Sequence, residues 1–150
     1  MIEIKKILFP TDLTESSSKI LPYVLSFSEK YNSMIYLLHV FQDLKRWGKL
    51  YIPHISTEKF EEQALEGAKK FVETLCDEKL RGCPNFQKRI VSGDPAAEIL
   101  KTIESEGIDL VIMGTHGPKG LERTLFGSVA EKVVKKSGVP VLTINPWKLK

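Results

Sequence analysis

Residues 110–128 read LVIMGTHGPKGLERTLFGS and contain the strongest indication of the fold class of this chain. This stretch opens with an apolar run at 110–113 that is typical of a buried strand, and a helical pattern begins at Ser128. Between these two segments, Gly114, Gly117 and Gly127 allow a close backbone approach to a ligand. A strand, a glycine-containing loop and a helix N-terminus in this order predict a site for phosphate groups.

Short apolar or β-branched segments bounded by breakers recur along the rest of the chain, and helical spacing lies between them. Because these segments are continuously apolar, we expect a parallel sheet that is covered on both faces, in a three-layer doubly wound α/β fold. In such a sheet a ligand binds outside the carboxyl ends of the strands, where the strand order reverses. The predicted strands are residues 4–9, 34–41, 86–91, 109–113 and 139–144, and the clearest helical pattern is formed by Phe60, Ala64, Ala68, Phe71, Val72 and Leu75.

Helix-terminal signals divide the second half of the chain. Asp94 is expected to cap a helix that has Pro95 at its first position. Ser128 with Glu131 predicts a capping box, and Gly138 suits the residue that stops this last helix. In the first helical pattern, Pro22 is expected to bend the helix or to delay its start.

Composition excludes several classes of protein. The 150 residues carry 22 Lys+Arg and 19 Asp+Glu, a net charge of +3, and they predict a single domain over residues 1–150. No apolar run approaches the ~18 residues of a membrane span, and no dense basic run favours nucleic acid. The N-terminus has no signal-peptide pattern, so a cytoplasmic location is expected. Cys76 and Cys83 are too few for a zinc site and are interpreted as reduced thiols.

Two segments contain the candidate chemistry. In the glycine loop, Gly114 and Gly117 permit positive φ angles and a close backbone approach, and Gly127-Ser128 is expected to offer free N–H groups and a hydroxyl. Within the loop, Lys119 and Arg123 either bind outer phosphates or are solvated. Asp12 follows the first strand and either accepts a hydrogen bond from a ribose hydroxyl or an adenine amino group, or caps the first helix, as Thr14 also can. A loop histidine such as His116 is more often structural, so it receives no acid or base role.

Several nucleotide-site and hydrolase motifs are missing from the sequence. It contains no Gly-x-Gly-x-x-Gly after the first strand, no Gly-x-x-x-x-Gly-Lys-Ser/Thr and no Gly-x-Ser-x-Gly elbow. These absences argue against a Rossmann dehydrogenase, a P-loop NTPase and a serine hydrolase. A phosphate-binding α/β module is the class that remains.

The spacing Gly114-x2-Gly117-x9-Gly127-Ser128 after the strand at 109–113 closely resembles that of the universal stress protein family. The resemblance extends to the segments 7–12, 37–40, 93–95 and 139–144, and it covers the chain except for a stretch around residues 42–56. It implies an adenine nucleotide alpha hydrolase-like fold with strand order 3-2-1-4-5, which places Asp12 and Gly114 on neighbouring strands. The intact glycine pattern favours the ATP-binding branch of the family.

In that branch the glycine loop holds the ribose and phosphates, the acidic residue after the first strand contacts the nucleoside, and the end of the second strand meets adenine. The resemblance therefore implies an adenine nucleotide as ligand, with Mg²⁺ or Mn²⁺ bridging its phosphates. No catalytic and no metal-binding residue is assigned. The candidate nucleotide-binding residues are Pro10, Thr11, Asp12, Val40, Met113, Gly114, His116, Gly117, Arg123, Gly127, Ser128 and Val129.

The segment from Val139 to Ile144 is expected to form an edge strand, and pairing with its copy in a homodimer would cover this edge. The family resemblance also implies such a dimer. Residues 42–56 either close over the nucleotide as a lid or pack as a small surface cluster around Trp47 and Tyr51.

We therefore expect a homodimeric, nucleotide-responsive regulatory protein of the stress response that binds ATP, with no nucleic-acid or membrane partner and an unknown protein partner. The alternative is a slow metal-dependent ATPase that uses the same cleft, with His116 or Asp12 orienting water. A third hypothesis is a structural dimer whose glycine loop binds only an adventitious anion.

Overall fold

The computed structural model describes residues 1–42, 85–116 and 126–150, together with six helical positions between 59 and 70. In the three continuous segments, five strands alternate with three helices. The strands are β1 (Lys6–Thr11), β2 (Met34–Phe41), β3 (Phe86–Ser92), β4 (Leu110–Gly114) and β5 (Val141–Ile144), and the helices are α1 (Glu15–Tyr31), α2 (Pro95–Glu106) and α3 (Ser128–Lys136).

The five strands form one parallel sheet in the order β3-β2-β1-β4-β5. This order confirms the predicted doubly wound topology. Because the chain passes from β1 to β2 on one side and places β4 on the other, the strand order reverses between β1 and β4. The carboxyl ends of these two strands therefore border the crevice where a ligand is expected.

Two apolar clusters cover the two faces of the sheet. Along β1, Ile7 and Phe9 pack on the α1 side, whereas Leu8 packs on the side of α2 and α3, and all three side chains are fully buried. This alternation explains why the strand is continuously apolar in sequence, since neither of its faces meets water.

The strand ends differ slightly from the predicted ones, and each difference has a local cause. β1 continues through Pro10 to Thr11, which pairs with His39 of β2. The pairing of β1 with β4 includes only Ile7 and Leu8, so the missing N–H of Pro10 interrupts no pairing on that side. β5 begins two residues late because the Ser137 hydroxyl accepts from the N–H of Val139 and donates to its carbonyl oxygen, which holds Val139 in a turn.

The signals at the helix ends were partly correct. Asp94 caps α2 as predicted, and its carboxylate accepts from the Ala97 N–H at 3.0 Å. α1 starts at Glu15 and runs through Pro22 without interruption, because this proline lies on the exposed face of the helix, where water can solvate the freed carbonyl.

The predicted capping box of α3 is wrong. The N-cap residue is Gly127, Ser128 is the first helical residue, and no side-chain cap bond forms. The carboxylate of Glu131 instead pairs with Lys135, 2.6 Å away on the exposed face of the helix. At the other end the helix stops at Ser137 in an extended conformation, so the left-handed stop expected at Gly138 does not form.

No helix among the described residues is long and apolar enough to cross a membrane. The six helical positions between 59 and 70 are all exposed and follow one another at intervals of one or three residues, consistent with the polar face of the predicted helix. The rest of the 42–56 segment beyond Gln42, the apolar positions of that helix, both cysteines and the loop residues Gly117, Lys119 and Arg123 lie outside the described residues.

Candidate functional site

A cleft of about 450 Å³ lies at the carboxyl ends of β1, β2 and β4, at the reversal of strand order. Its volume is in the range of pockets that hold a small organic ligand. Of the twelve residues predicted from the sequence, ten line this cleft, and Gly117 and Arg123 lie outside the described residues. The ten are Pro10, Thr11, Asp12, Val40, Met113, Gly114, His116, Gly127, Ser128 and Val129.

The two sides of the cleft differ in chemistry. The side formed by the α2–α3 layer is apolar, because six of its lining residues belong to the cluster that packs on that face of the sheet. The opposite side is formed by the β1–α1 turn and offers a carboxylate and hydroxyl groups. The apolar lining residues are Leu38, Val40, Ile99, Met113, Val129 and Ala130.

Asp12 is held in the β1–α1 turn by a dense set of hydrogen bonds. Its Oδ1 accepts from the Thr14 N–H at 3.0 Å, the Thr14 hydroxyl at 2.5 Å and the Ser17 hydroxyl at 2.7 Å. Its Oδ2 accepts from the Ser16 hydroxyl at 3.0 Å. The turn places Leu13 at a φ of 61°, a left-handed conformation that is costly for a branched side chain.

These hydrogen bonds control the ionisation of Asp12. Burial raises the pKa of the carboxyl group, but the bonds from Thr14, Ser17 and Ser16 outweigh burial and hold the pKa below its ordinary value of 3.8. Asp12 is therefore an anion at neutral pH. The structural alternative, a simple helix cap, is met only in part: Thr14 occupies the N-cap position without a side-chain cap bond, and Asp12 accepts from one backbone N–H.

The β4–α3 segment forms the end of the candidate site where the sequence predicts phosphate binding. The Thr115 N–H donates to the Ile144 carbonyl at 2.9 Å, and the Gly127 N–H donates to the Thr115 carbonyl at 2.6 Å. The two ends of the glycine loop are thereby joined directly beside the cleft. The Gly127 N–H is consequently not free for a ligand, which corrects the sequence-based expectation.

At this end of the cleft, the first turn of α3 supplies backbone donors that no described residue accepts from. The N–H groups of Ser128, Val129 and Ala130 have no acceptor within the helix, because the first intrahelical bond runs from the Glu131 N–H to the Gly127 carbonyl at 3.0 Å. All three residues line the cleft, at the positive end of the helix dipole. The Ser128 hydroxyl is exposed and takes no part in capping.

Gly114 and Gly127 serve close packing and not positive φ angles. Among the described glycines only Gly93 and Gly107 have positive φ, so Gly114 does not use the positive φ that a glycine permits. A Cβ atom at Gly114 would lie 2.9 Å from Ile20 Cδ1 and 3.3 Å from the His116 carbonyl oxygen. A Cβ atom at Gly127 would lie 3.3 Å from the Thr115 carbonyl oxygen. Both glycines let α1 and the loop backbone approach the end of β4.

The two histidines near the cleft both contact neighbouring residues of the site. His39 Nδ1 lies 2.8 Å from the Thr11 carbonyl oxygen, which requires Nδ1 to carry the proton. This bond joins the ends of β1 and β2. His116 Nδ1 lies 2.8 Å from the Thr115 hydroxyl oxygen.

Reasoning from the sequence missed several residues that line the cleft. Thr115 stands within the quoted segment 110–128, and Ser16 and Ser17 follow Asp12 by four and five residues. Their closeness to Gly114 and Asp12 in the sequence was the signal that could have found them. Pro95 and Ile99 belong to α2, and only the packing of that helix against the sheet brings them to the cleft. The full set of missed residues is Ser16, Ser17, Ile20, Leu38, Gln42, Pro95, Ile99, Thr115 and Ala130.

The site combines an apolar side, an ionised acceptor and an array of backbone donors, a set that suits a ligand with an apolar ring, hydroxyl groups and an anionic end. Among the described residues, no group of three or more His, Cys, Asp or Glu side chains is placed to hold a metal ion. The fold and the site together define a doubly wound α/β protein with a ligand-sized cleft at its switch point.

Comparison with known proteins identifies the family. The profile of the universal stress protein family matches residues 3–145. Universal stress protein MJ0577 of Methanocaldococcus jannaschii is 36% identical over 153 residues, and the match covers 94% of each chain. This chain belongs to the universal stress protein family.

Solved structures agree with this assignment. The structure of MJ0577 is similar at a TM-score of 0.81 and 35% identity, over 96% of this chain and 97% of that one. A universal stress protein from Archaeoglobus fulgidus has a TM-score of 0.63 at 17% identity, over 97% of this chain and 100% of that one, and it shows the fold alone.

Proposed function

We propose that this chain, as one domain over residues 1–150, binds ATP in the cleft between β1 and β4 and acts as a nucleotide-responsive regulatory protein of the stress response. The observation that carries the proposal is the composition of the cleft: an apolar side, the ionised Asp12 and the N-terminus of α3 surround about 450 Å³. Among other proteins of this fold, the A. fulgidus relative was solved in complex with dAMP and another universal stress protein with cAMP.

The polarity of the cleft suggests how the nucleotide lies in it. The adenine ring is expected against the apolar side, near Val40 and Met113, because burial there removes apolar surface from water. The phosphates are expected at Ser128 and Val129, where the backbone N–H groups and the helix dipole favour an anion. The described geometry does not position Gly117 and Arg123, so their contacts with phosphate rest on the family resemblance.

We propose that a divalent cation, Mg²⁺ or Mn²⁺, enters with the nucleotide. Mg²⁺ commonly binds to nucleotide phosphates while keeping several waters and few protein ligands. The cation would neutralise charge between adjacent phosphates at the N-terminus of α3. Chemistry at this site is proposed to be limited to binding, and turnover is measured in the experiment below.

We also propose a homodimer that forms through β5. The two edges of the sheet differ: β3 presents the exposed side chains of Gln87, Lys88 and Arg89, whereas Val141, Leu142 and Thr143 of β5 are apolar or uncharged and half-buried. Charged side chains protect an edge from pairing, and an uncharged edge favours it. A two-fold pairing of β5 with its own copy would satisfy the unpaired backbone groups.

Regulation would follow if ATP stabilised one conformation of the protein more than another. ATP can shift the protein between states only through contacts that differ between them. A cytoplasmic location and a protein partner that reads the nucleotide state complete the proposal.

The decisive experiment is calorimetric titration of nucleotide-free protein with ATP, ADP, AMP and GTP, with and without Mg²⁺, while product formation is followed. The informative variant is Ser128→Asp, because a carboxylate at the first helical position suits the helix dipole yet repels phosphate. We expect saturable binding of ATP, and a loss of at least ~10-fold in the variant that grows from AMP to ATP.

The matched control is Ser26→Asp, which introduces the same charge at an exposed position in the interior of α1. This variant should bind ATP as the wild type does. If no nucleotide binds to the wild type, the proposal is wrong and an interaction protein without a ligand replaces it. If ATP is turned over repeatedly, the proposed restriction to binding is wrong and the slow ATPase replaces it.

A further inference from the structure

The hydroxyl groups around Asp12 form a cluster in which the hydrogen-bond contacts outnumber the hydroxyl protons that can fill them. Thr14, Ser16 and Ser17 each carry one hydroxyl proton. These three protons serve four contacts: each hydroxyl group approaches Asp12, and the Thr14 and Ser16 hydroxyl oxygens also lie 2.8 Å from each other. One of the four contacts therefore has no proton at any moment.

The distances indicate which of the three hydroxyl groups can donate to either of two acceptors. The Thr14 hydroxyl lies 2.5 Å from Asp12 Oδ1 and the Ser17 hydroxyl lies 2.7 Å from it, so both are committed donors. Ser17 is further fixed because its oxygen accepts from the Asp12 N–H at 3.1 Å. The Ser16 hydroxyl lies 3.0 Å from Asp12 Oδ2 and 2.8 Å from the Thr14 oxygen, and it can donate to either.

The two carboxylate oxygens consequently differ in what they offer to a ligand. Oδ1 accepts three hydrogen bonds from the turn itself, whereas Oδ2 accepts, from the part of the chain that the structure describes, only the exchangeable one from Ser16. If a ligand donates to Oδ2, rotation of the Ser16 hydroxyl toward Thr14 preserves the number of hydrogen bonds without movement of any heavy atom. Asp12, Ser16 and Ser17 all line the cleft.

We propose that Thr14 and Ser17 are positioning residues that fix Asp12 through Oδ1, and that Ser16 is an exchangeable donor that yields Oδ2 to one N–H or O–H donor of the ligand. This inference rests on the proposed function, since the ligand is taken to be an adenine nucleotide. It makes Asp12 a receptor for a single donor, either a ribose hydroxyl or the adenine amino group.

Ser16 and Ser17 form a matched pair for the test, because both are buried, both line the cleft and both become alanine by loss of one oxygen. Ser17→Ala removes a committed donor to a charged group and should weaken ATP binding at pH 7 by ~10-fold. Ser16→Ala removes a donor that the ligand replaces and should change the affinity by less than ~2-fold. Equal losses in the two variants would overturn the proposal.

The pH dependence provides a readout that a general loss of packing would not move. Within residues 1–42, 85–116 and 126–150, the titratable groups on neighbouring elements are Glu15 and Lys19 of α1, which pair with each other at 3.3 Å, His39 at the end of β2 and His116 after β4. The pKa of Asp12 itself is shifted by burial and by the hydroxyl and backbone bonds described above. Loss of the Ser17 donor should raise this pKa and move the acid limit of ATP binding to higher pH.

Titration of the Asp12 carboxyl by carbon-13 NMR in ligand-free protein separates the two proposals. If the wild type binds no ATP, the proposed function fails, but the Asp12 pKa should still rise more in Ser17→Ala than in Ser16→Ala. If ATP binds and the two variants titrate alike, the inference about the cluster fails alone. Should Ser17→Ala not fold by circular dichroism, Thr14→Val removes the other committed hydroxyl donor and is expected to behave in the same way.

Analogues identify the donor on the ligand. The probes are 2′-deoxy-ATP, 3′-deoxy-ATP and purine riboside triphosphate, which lack one hydroxyl group, the other hydroxyl group and the amino group in turn. One analogue should bind the wild type ~10-fold more weakly than ATP, and this difference should disappear in Asp12→Ala. Binding of all three analogues with the affinity of ATP would contradict a donor to Oδ2.

Discussion

At Gly114 a single hydrogen atom in place of a side chain allows three segments to meet. Ile20 of α1 and the His116 carbonyl both approach the position that a Cβ atom would occupy. The residue that appears from the sequence to serve a ligand therefore also serves the packing of the fold. A loss of ligand binding in a Gly114 variant would report on both roles.

We predict that Gly114→Ala lowers the free energy of unfolding by about 1–3 kcal/mol, because its Cβ overlaps Ile20 Cδ1. Ile20→Val removes that methyl group, so the double variant should lose less than the sum of the two single changes. Urea denaturation of the four proteins measures the coupling. Gly138→Ala is the control, since nothing lies within 4 Å of its added Cβ. If the two losses of unfolding free energy simply add in the double variant, the overlap with Ile20 is not the cause of the Gly114→Ala effect and the prediction is wrong.

Among the elements, helix α2 is started by a local capping residue and also contributes side chains to the cleft. Its first residue, Pro95, and Ile99 line the cleft, and Ala96, Ile99 and Ile103 are buried against the sheet. The orientation of this helix relative to β2 and β4 therefore sets part of the apolar side. Its start depends on the carboxylate of Asp94, which satisfies the Ala97 N–H.

We predict that Asp94→Ala costs about 1 kcal/mol of stability, because the Ala97 N–H loses its acceptor at the helix N-terminus. Asp94→Asn should retain most of the stability, since an amide oxygen caps almost as well. Thermal unfolding followed by circular dichroism compares the three proteins. If Asp94→Asn is as unstable as Asp94→Ala, charge and not capping is the source of the effect.

At the scale of the whole molecule, the outer edge of β5 is where the proposed homodimer would form. The Val111 N–H donates to the Pro140 carbonyl and the Thr115 N–H to the Ile144 carbonyl, so alternate residues of β5 face β4. Val141 and Thr143 then direct their backbone groups away from the sheet. On β3 the same reasoning places the backbone groups of Lys88 on the outer edge, since the Ile35 N–H donates to the Asn85 carbonyl.

We predict that Thr143→Pro converts the proposed dimer to a monomer, because it removes an N–H group from the pairing edge and leaves the bonds to β4 intact. Lys88→Pro removes the corresponding N–H group from the β3 edge and should leave the dimer unchanged. Sedimentation equilibrium at several concentrations measures the association of the three proteins. A monomeric wild type, or equal dissociation of both variants, would exclude pairing through β5.

Much of this protein was readable in the sequence because the signals are local. Alternation of apolar strands with helical spacing predicted the five-stranded parallel sheet. The segments at the ends of β1 and β4 predicted nine lining residues of the cleft, and the family resemblance added Val40. Strand identity depends on burial of both faces, and a cap such as Asp94 depends on residues within one turn. Both of these are properties of short segments.

Tertiary structure decided what depends on atoms brought together from distant parts of the chain. The Gly127 N–H donates to the Thr115 carbonyl and not to a ligand. Ile20 packs against the position where Gly114 lacks a side chain. Ile99 lines the cleft although it belongs to a helix of another layer. The proposed difference between the two carboxylate oxygens of Asp12 depends on differences of a few tenths of an ångström in their distances to the surrounding hydroxyl oxygens. Sequence patterns specify which residue types lie on a segment, but hydrogen-bond partners and steric limits arise only when the segments pack together.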